Sequence, residues 1–266
     1  MTLPTPVKIA VAAALAAAMV PATAMARDIE DIVQSKSFHI GVVPFDVDII
    51  KDPTGSDYTG VFVEAIEHVC EEIKVTCEFQ EYTWQSFIGA LQSGQIDLSI
   101  ATTYATIPRA TAVLFSDPIY DLGYKAVTKE GDDRFTSVAD LDSSDVMVAV
   151  AQGTGQMAWV QKVAPKAQLR VVPTEEGALL EVVTGRAMIA ISASAAADHA
   201  LKTQPGLAEA LGGNIFDVNQ VAWAMNRNDI GLKFFVDTAL GKLKASGLLE
   251  ELANKYDAPW KGTIAK

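Results

Sequence analysis

Residues Trp84–Tyr124 read WQSFIGALQSGQIDLSIATTYATIPRATAVLFSDPIYDLGY, and the order of elements in this stretch decides the fold. Trp84, Phe87, Ile88 and Leu91 recur at the i, i+3, i+4, i+7 spacing of one buried helix face, and Ser93-Gly94 supplies the stop. The IDLSIA that follows is apolar and β-branched, the pattern of a buried strand, and it delivers Thr102, Thr103 and Tyr104 to a loop at its C-terminal end. Open α/β sheets bind their ligands at that edge. Five residues beyond Tyr104 stands Arg109, a planar fork of donors suited to gripping a carboxylate with two hydrogen bonds; its structural alternative is an ion pair with Asp117.

Outward on the N-terminal side, Phe38–Val43 alternates as a first strand, and Pro44-Phe45-Asp46-Val47-Asp48 forms the loop at its end. Val61, Phe62, Ala65, Ile66, Val69, Cys70 and Ile73 mark a helix face, and Thr76–Glu81 reads as the second strand. Strand, helix, strand, helix, strand implies a parallel, doubly wound sheet. On the C-terminal side Tyr124–Thr128 is extended and Glu130-Gly131-Asp132-Asp133 is a polar break. A second α/β set follows: strand Val146–Ala151, a tight Gly153-Thr154-Gly155 turn, a helix carrying Met157, Val160 and Val163, strand Leu169–Val172, helix Thr174–Thr184 and strand Met188–Ile191. Gly212-Gly213-Asn214 breaks the pattern again, before a strand over Val218–Met225 and one long helix over Leu232–Leu249. Two similar sets predict two lobes; the family resemblance given below implies that Val218–Met225 returns to the first, making it discontinuous (27–126 with 219–266) with the second inserted between (127–218).

Lys8, the almost wholly Ala, Val, Leu and Met run Ile9–Val20, and Ala24-Met25-Ala26 have the form of an export signal over residues 1–26, with cleavage after Ala26. The apolar run is too short for a spanning helix, although an uncleaved anchor or a buried helix is the alternative. About 240 residues remain, enough for one large domain or two moderate lobes. A net charge of −12 argues against a nucleic-acid partner and against binding anionic lipid through a basic patch. In an oxidising compartment the two cysteines, Cys70 and Cys77, favour a disulfide between a helix end and the next strand. A metal site is a poor reading, since the only nearby ligand type is His68 at mid-helix, and His199 beside Asp198, with His39 in the first strand, forms no recognisable triad.

The ordered set Gly94-x-Ile96-Asp97-Leu98, Thr106-x-x-Arg109 and Phe115-Ser116-Asp117-Pro118-x-Tyr120 resembles the core of the periplasmic solute-binding proteins of polar amino acid ABC transporters, family 3, which includes the histidine- and glutamine-binding proteins. The resemblance runs from roughly Phe38 to Tyr256. It implies an α/β, type II, two-lobed periplasmic binding protein whose doubly wound sheets are joined by a two-strand hinge, with crossings near 125–130 and 217–222. It also implies a periplasmic monomer that binds a small carboxylate ligand, works with a membrane ABC permease and is not an enzyme, with no cofactor and no metal. Arg109 would hold the carboxylate. Thr102 and Tyr104 would lie beside it, although the family places Ser or Thr where this chain has Tyr104. Gly153, Thr154 and Gly155 match the turn that meets the carboxylate from the second lobe, where free N–H groups at a helix start favour an anion. Trp84 and Phe45 fall at aromatic pocket walls, and the Cys70–Cys77 spacing recurs in the histidine-binding relatives.

One departure stands out. Ala193 occupies the position at which relatives carry an aspartate for the ligand's α-ammonium, so ordinary L-amino acids are expected to bind poorly unless Asp46 or Asp48 meets that group. Two other functions are carried by related chains: a periplasmic dehydratase acting on cyclic carboxylic acids, which would need a general acid in the cleft, and a partner of a quinoprotein dehydrogenase.

Overall fold

The computed structural model describes residues 27–265, so the expected export signal lies outside the described residues. In chain order come α1 (Ile29–Ser35), β1 (Ser37–Val42), β2 (Ile50–Lys51), β3 (Tyr58–Thr59), α2 (Val61–Ile73), β4 (Thr76–Glu81), α3 (Phe87–Gln92), β5 (Leu98–Tyr104), α4 (Ile107–Ala110), β6 (Val113–Phe115) and β7 (Tyr120–Lys129). They are followed by β8 (Met147–Ala151), α5 (Gly155–Val163), β9 (Gln168–Val172), α6 (Glu175–Val183), β10 (Ile189–Ala193), α7 (Ser194–Thr203), β11 (Leu207–Glu209), β12 (Phe216–Asn226), α8 (Ile230–Ser246) and α9 (Leu248–Lys255). None of the described helices is long and apolar enough to cross a membrane.

The strands form one path, β4-β1-β5-β12-β7-β10-β8-β9, with β6 added to β12 and β11 to β7. β1 lies parallel to β4 and β5, and β8 lies parallel to β9 and β10, so each lobe has a parallel core. The antiparallel strands β7 and β12 join them. β12 pairs with β5 through Val221–Met225 and with β7 through Phe216–Val221, while β7 turns to β10 from Tyr124 onward. All seven residues of β5 are buried, as a strand covered by helices on both faces requires. Cys70 at the end of α2 is bonded to Cys77 in β4, with 6.0 Å between their Cα atoms.

Three local expectations change. The helix expected from Trp84 begins at Phe87, because the Thr83 carbonyl accepts from the N–H groups of Ser86 and Phe87 in a turn and leaves Trp84 outside the helix. Thr102, Thr103 and Tyr104 end β5 itself rather than lying in a loop. The long C-terminal helix is two helices, broken at Gly247, whose φ of 83° is a left-handed conformation that ends α8.

Candidate ligand-binding cleft

The C-terminal ends of β1 and β5 face the N-termini of α5 and α6 across a narrow cleft. Thr106 caps α4, accepting from the Arg109 N–H at 3.4 Å, and this turn aims the half-buried Arg109 side chain into the cleft. Its Nη1 donates to the Tyr104 carbonyl at 3.3 Å and its Nη2 to the Gly153 carbonyl of the other lobe at 3.1 Å. The guanidinium lies 5.9 Å from the Phe87 ring centroid. No carboxylate among the described residues is its partner: the Asp117 N–H donates to Asp237 instead, and the alternative Arg109–Asp117 pair does not form. With two of five N–H groups spent on carbonyls, Arg109 keeps donors for an incoming anion.

Facing it is the start of α5. Thr154 is the N-cap, accepting from the Met157 N–H at 3.3 Å, so the N–H groups of the first turn point outward without carbonyl partners of their own. Gly153 has φ +77°, and a Cβ there would lie 2.7 Å from the Gln85 backbone nitrogen, so glycine lets the two lobes touch. Thr154 and Gly155 line the cleft with Arg109. Phe45 and Trp84, ring centroids 6.1 Å apart in an edge-to-face pair, form its wall.

Other expected site residues sit differently. The Thr102 hydroxyl donates to Asp48 Oδ2 at 2.6 Å, the Tyr120 hydroxyl to the same oxygen at 2.6 Å, and Trp260 Nε1 to Oδ1 at 2.9 Å. Asp48 is therefore spent inside the first lobe and does not line the cleft. Burial pushes its pKa up to about 6 against these three donors. Tyr104 lines the wall with its ring, but its hydroxyl is aimed at the Gly123 carbonyl, 3.5 Å away, and its edge meets Tyr124 at 5.3 Å. Asp46 lies at an outer opening with Glu176, not in the central space.

Glu175, Gln156 and the apolar Leu122 are the cleft residues that sequence reasoning missed. Glu175 opens α6, just after its N-cap Thr174, and is 4% exposed. The Ser192 hydroxyl and the Ala193 N–H (3.2 Å) donate to its Oε2, and Gln156 Nε2 donates to Oε1 at 2.8 Å. Burial pushes its pKa up to about 7 even so. The available signal was Thr174-Glu175-Glu176 opening a helix after a second-lobe strand, at the same sheet edge as the Gly153 turn.

Such an arrangement, two parallel-sheet lobes joined by two antiparallel strands with a charged cleft between, defines a two-lobed solute-binding protein. The family of bacterial extracellular solute-binding proteins, family 3, matches residues 40–258, and the chain belongs to it. It is 27% identical over 201 residues to a putative ABC transporter arginine-binding protein 2 of Escherichia coli K12, covering 74% of this chain and 81% of that protein. Among solved structures, an ancestral amino acid-binding protein described as a precursor of cyclohexadienyl dehydratase is 28% identical with a TM-score of 0.77, over 85% of this chain and 98% of that one. The L-cysteine solute receptor of Neisseria gonorrhoeae shares the fold, with a TM-score of 0.80 at 21% identity over 89% and 99% of the two chains.

Proposed function

We propose that this protein captures a small carboxylate-bearing solute in the periplasm and presents it to a membrane ABC permease, working as a monomer and without catalysis. Arg109 carries the reading: a desolvated guanidinium, bound only to carbonyls among the described residues, faces the open N–H groups of a helix start. Cation and helix N-terminus, one from each lobe, are complementary to a single anionic group. Tyr120–Tyr124 and Phe216–Val221, the paired segments between the lobes, serve as the hinge on which the lobes, about 27–126 with 219–266 and 127–218, close; the first crossing thus falls before the expected 125–130, which pairs with β10 inside the second lobe. The relatives' names, an arginine-binding and an amino acid-binding protein among them, support an amino acid or a derivative as the solute class.

A carboxyl with a pKa near 7 in the cleft gives the dehydratase alternative one foothold, Glu175. Its three donors, however, dress it as an acceptor rather than as an acid aimed at a substrate, and turnover of prephenate or arogenate would favour that alternative. A thermal-shift screen of amino acids, betaines and organic acids tests the binding reading. A carboxylate solute at 100 times its Kd should stabilise the protein by about 2.7 kcal/mol. Stabilisation by uncharged solutes alone, or by none, overturns it.

A further inference from the structure

The segment after α9 returns to the root of the two strands that cross between the lobes. Asp257, left-handed at φ 53°, turns the chain out of α9, and Ala258 and Trp260 beyond it are buried. The Trp260 ring stacks on Tyr120, the first residue of β7, with centroids 4.4 Å apart and planes 7° from parallel. Trp260 Nε1 donates to Asp48 Oδ1 at 2.9 Å, and the Tyr120 hydroxyl donates to Oδ2 of the same carboxylate at 2.6 Å. The stack therefore fixes the two rings at their faces while Asp48 fixes them at their polar edges. Farther along, the Ala265 N–H donates to the Ile119 carbonyl at 2.8 Å, and the Ile119 N–H donates to the Val221 carbonyl of β12 at 2.7 Å. This is where the pairing of β7 with β12 begins, Tyr120 opposite Val221. Phe62 of α2 packs on the same group, its ring centroid 6.0 Å from Trp260 and 5.7 Å from Trp223 of β12. Trp260, Asp48, Tyr120 and Ile119 do not line the cleft, so their arrangement is not spent on a solute.

We propose that residues 256–265 are a strap and that Trp260 is a positioning residue for lobe closure: together they clamp the first-lobe ends of β7 and β12 and confine bending to Tyr120–Tyr124 and Phe216–Val221. The proposal rests on those two segments being the hinge. A buried carboxylate is costly without its donors, so removing one donor loosens the others with it, and the Asp48 cluster holds as a unit. Tyr120 is the member of that unit that belongs to a crossing strand. With its ring and hydroxyl both held, the backbone at Ile119–Tyr120 cannot follow the second lobe, and the change of angle falls on the residues beyond. A fixed root also leaves fewer lobe orientations to give up on closure, which lowers the ordering cost of binding.

The test is hydrogen–deuterium exchange, read by mass spectrometry, on the solute-free wild type, Trp260→Phe and Leu240→Ala. Trp260→Phe keeps a ring against Tyr120 and removes the donor to Asp48. Leu240→Ala truncates a fully buried side chain of α8 in the same lobe and serves as the control for a general loss of stability. Exchange over Ile119–Leu122 and Asn219–Val221 should be at least about tenfold faster in Trp260→Phe than in Leu240→Ala, the loss of one buried hydrogen bond appearing as a local opening. Ala265→Pro, which removes only the N–H donor to Ile119, should speed exchange over Ile119–Leu122 by at least about threefold, and it stands in if Trp260→Phe does not fold. Equal exchange over these segments in Trp260→Phe and Leu240→Ala, or wild-type exchange in Ala265→Pro, overturns the strap and leaves the hinge reading intact. A wild type whose radius of gyration in small-angle scattering is unchanged by the most stabilising carboxylate of the thermal-shift screen overturns the hinge reading and the strap with it.

Discussion

Asp48 carries a consequence for stability. Its pKa of about 6 lies above the value near 3.9 of an unfolded aspartate, so the folded state holds the extra proton between about pH 4 and pH 6. Its contribution is therefore fully present below pH 4 and is lost as pH rises through 6, a swing of about 3 kcal/mol. Urea unfolding of the wild type and Asp48→Asn at pH 4 and pH 7 isolates this, because other titrating groups, Glu175 among them, are common to both. The stability difference should move toward the variant by up to about 3 kcal/mol between the two pH values; a difference that does not change with pH would exclude Asp48 as the titrating group. Arg109 was singled out by its place after a strand end together with the family resemblance, and the structure puts its side chain at the cleft. The burial of Asp48 and Glu175 was not legible, since an acid in a loop and an acid in the first turn of a helix are ordinarily solvated. Only the nonlocal packing of Thr102, Tyr120 and Trp260 around one, and of Gln156 and Ser192 around the other, buries them.

Among the elements, α2 and β4 matched their expected residues because an apolar stripe of period 3.6 and an alternation that places Cys77 and Phe79 on one face are local signals. Trp84 satisfied the same helical spacing but belongs to the turn before α3, where side-chain periodicity says nothing about which carbonyl a backbone N–H chooses. The Gly153 turn is where an element meets function. Its backbone rests on Gln85 of the other lobe, so Gly153→Ala puts a methyl into the contact that brings α5 up to the proposed anion site. Ligand-free stability should fall by only about 1–2 kcal/mol, the cost of a left-handed alanine. Affinity for the screened carboxylate should fall by at least about tenfold, since the added methyl would lie within 3 Å of the Trp84–Gln85 backbone and hold the contact apart. Unchanged affinity in a calorimetric titration would show that the cleft binds its solute without that contact.

For the whole molecule, the doubled α/β pattern announced two lobes, yet their junction depends on β12 pairing with β5 at one end and β7 at the other, partners more than ninety residues distant. No periodicity reveals such pairings; the family resemblance implied only two crossings between the lobes. The two strands would bear on the proposed function, because Arg109 and the α5 N-terminus lie on opposite sides of that junction and an anion shared between them would tie hinge angle to occupancy. Small-angle scattering on the wild type and Arg109→Met, each with and without the tightest carboxylate from the screen, reads this directly. The wild type should contract when saturated, while Arg109→Met at the same solute concentration keeps its ligand-free radius of gyration; a wild type of constant radius, or an equal contraction in Arg109→Met, would contradict an anion clamp between the lobes.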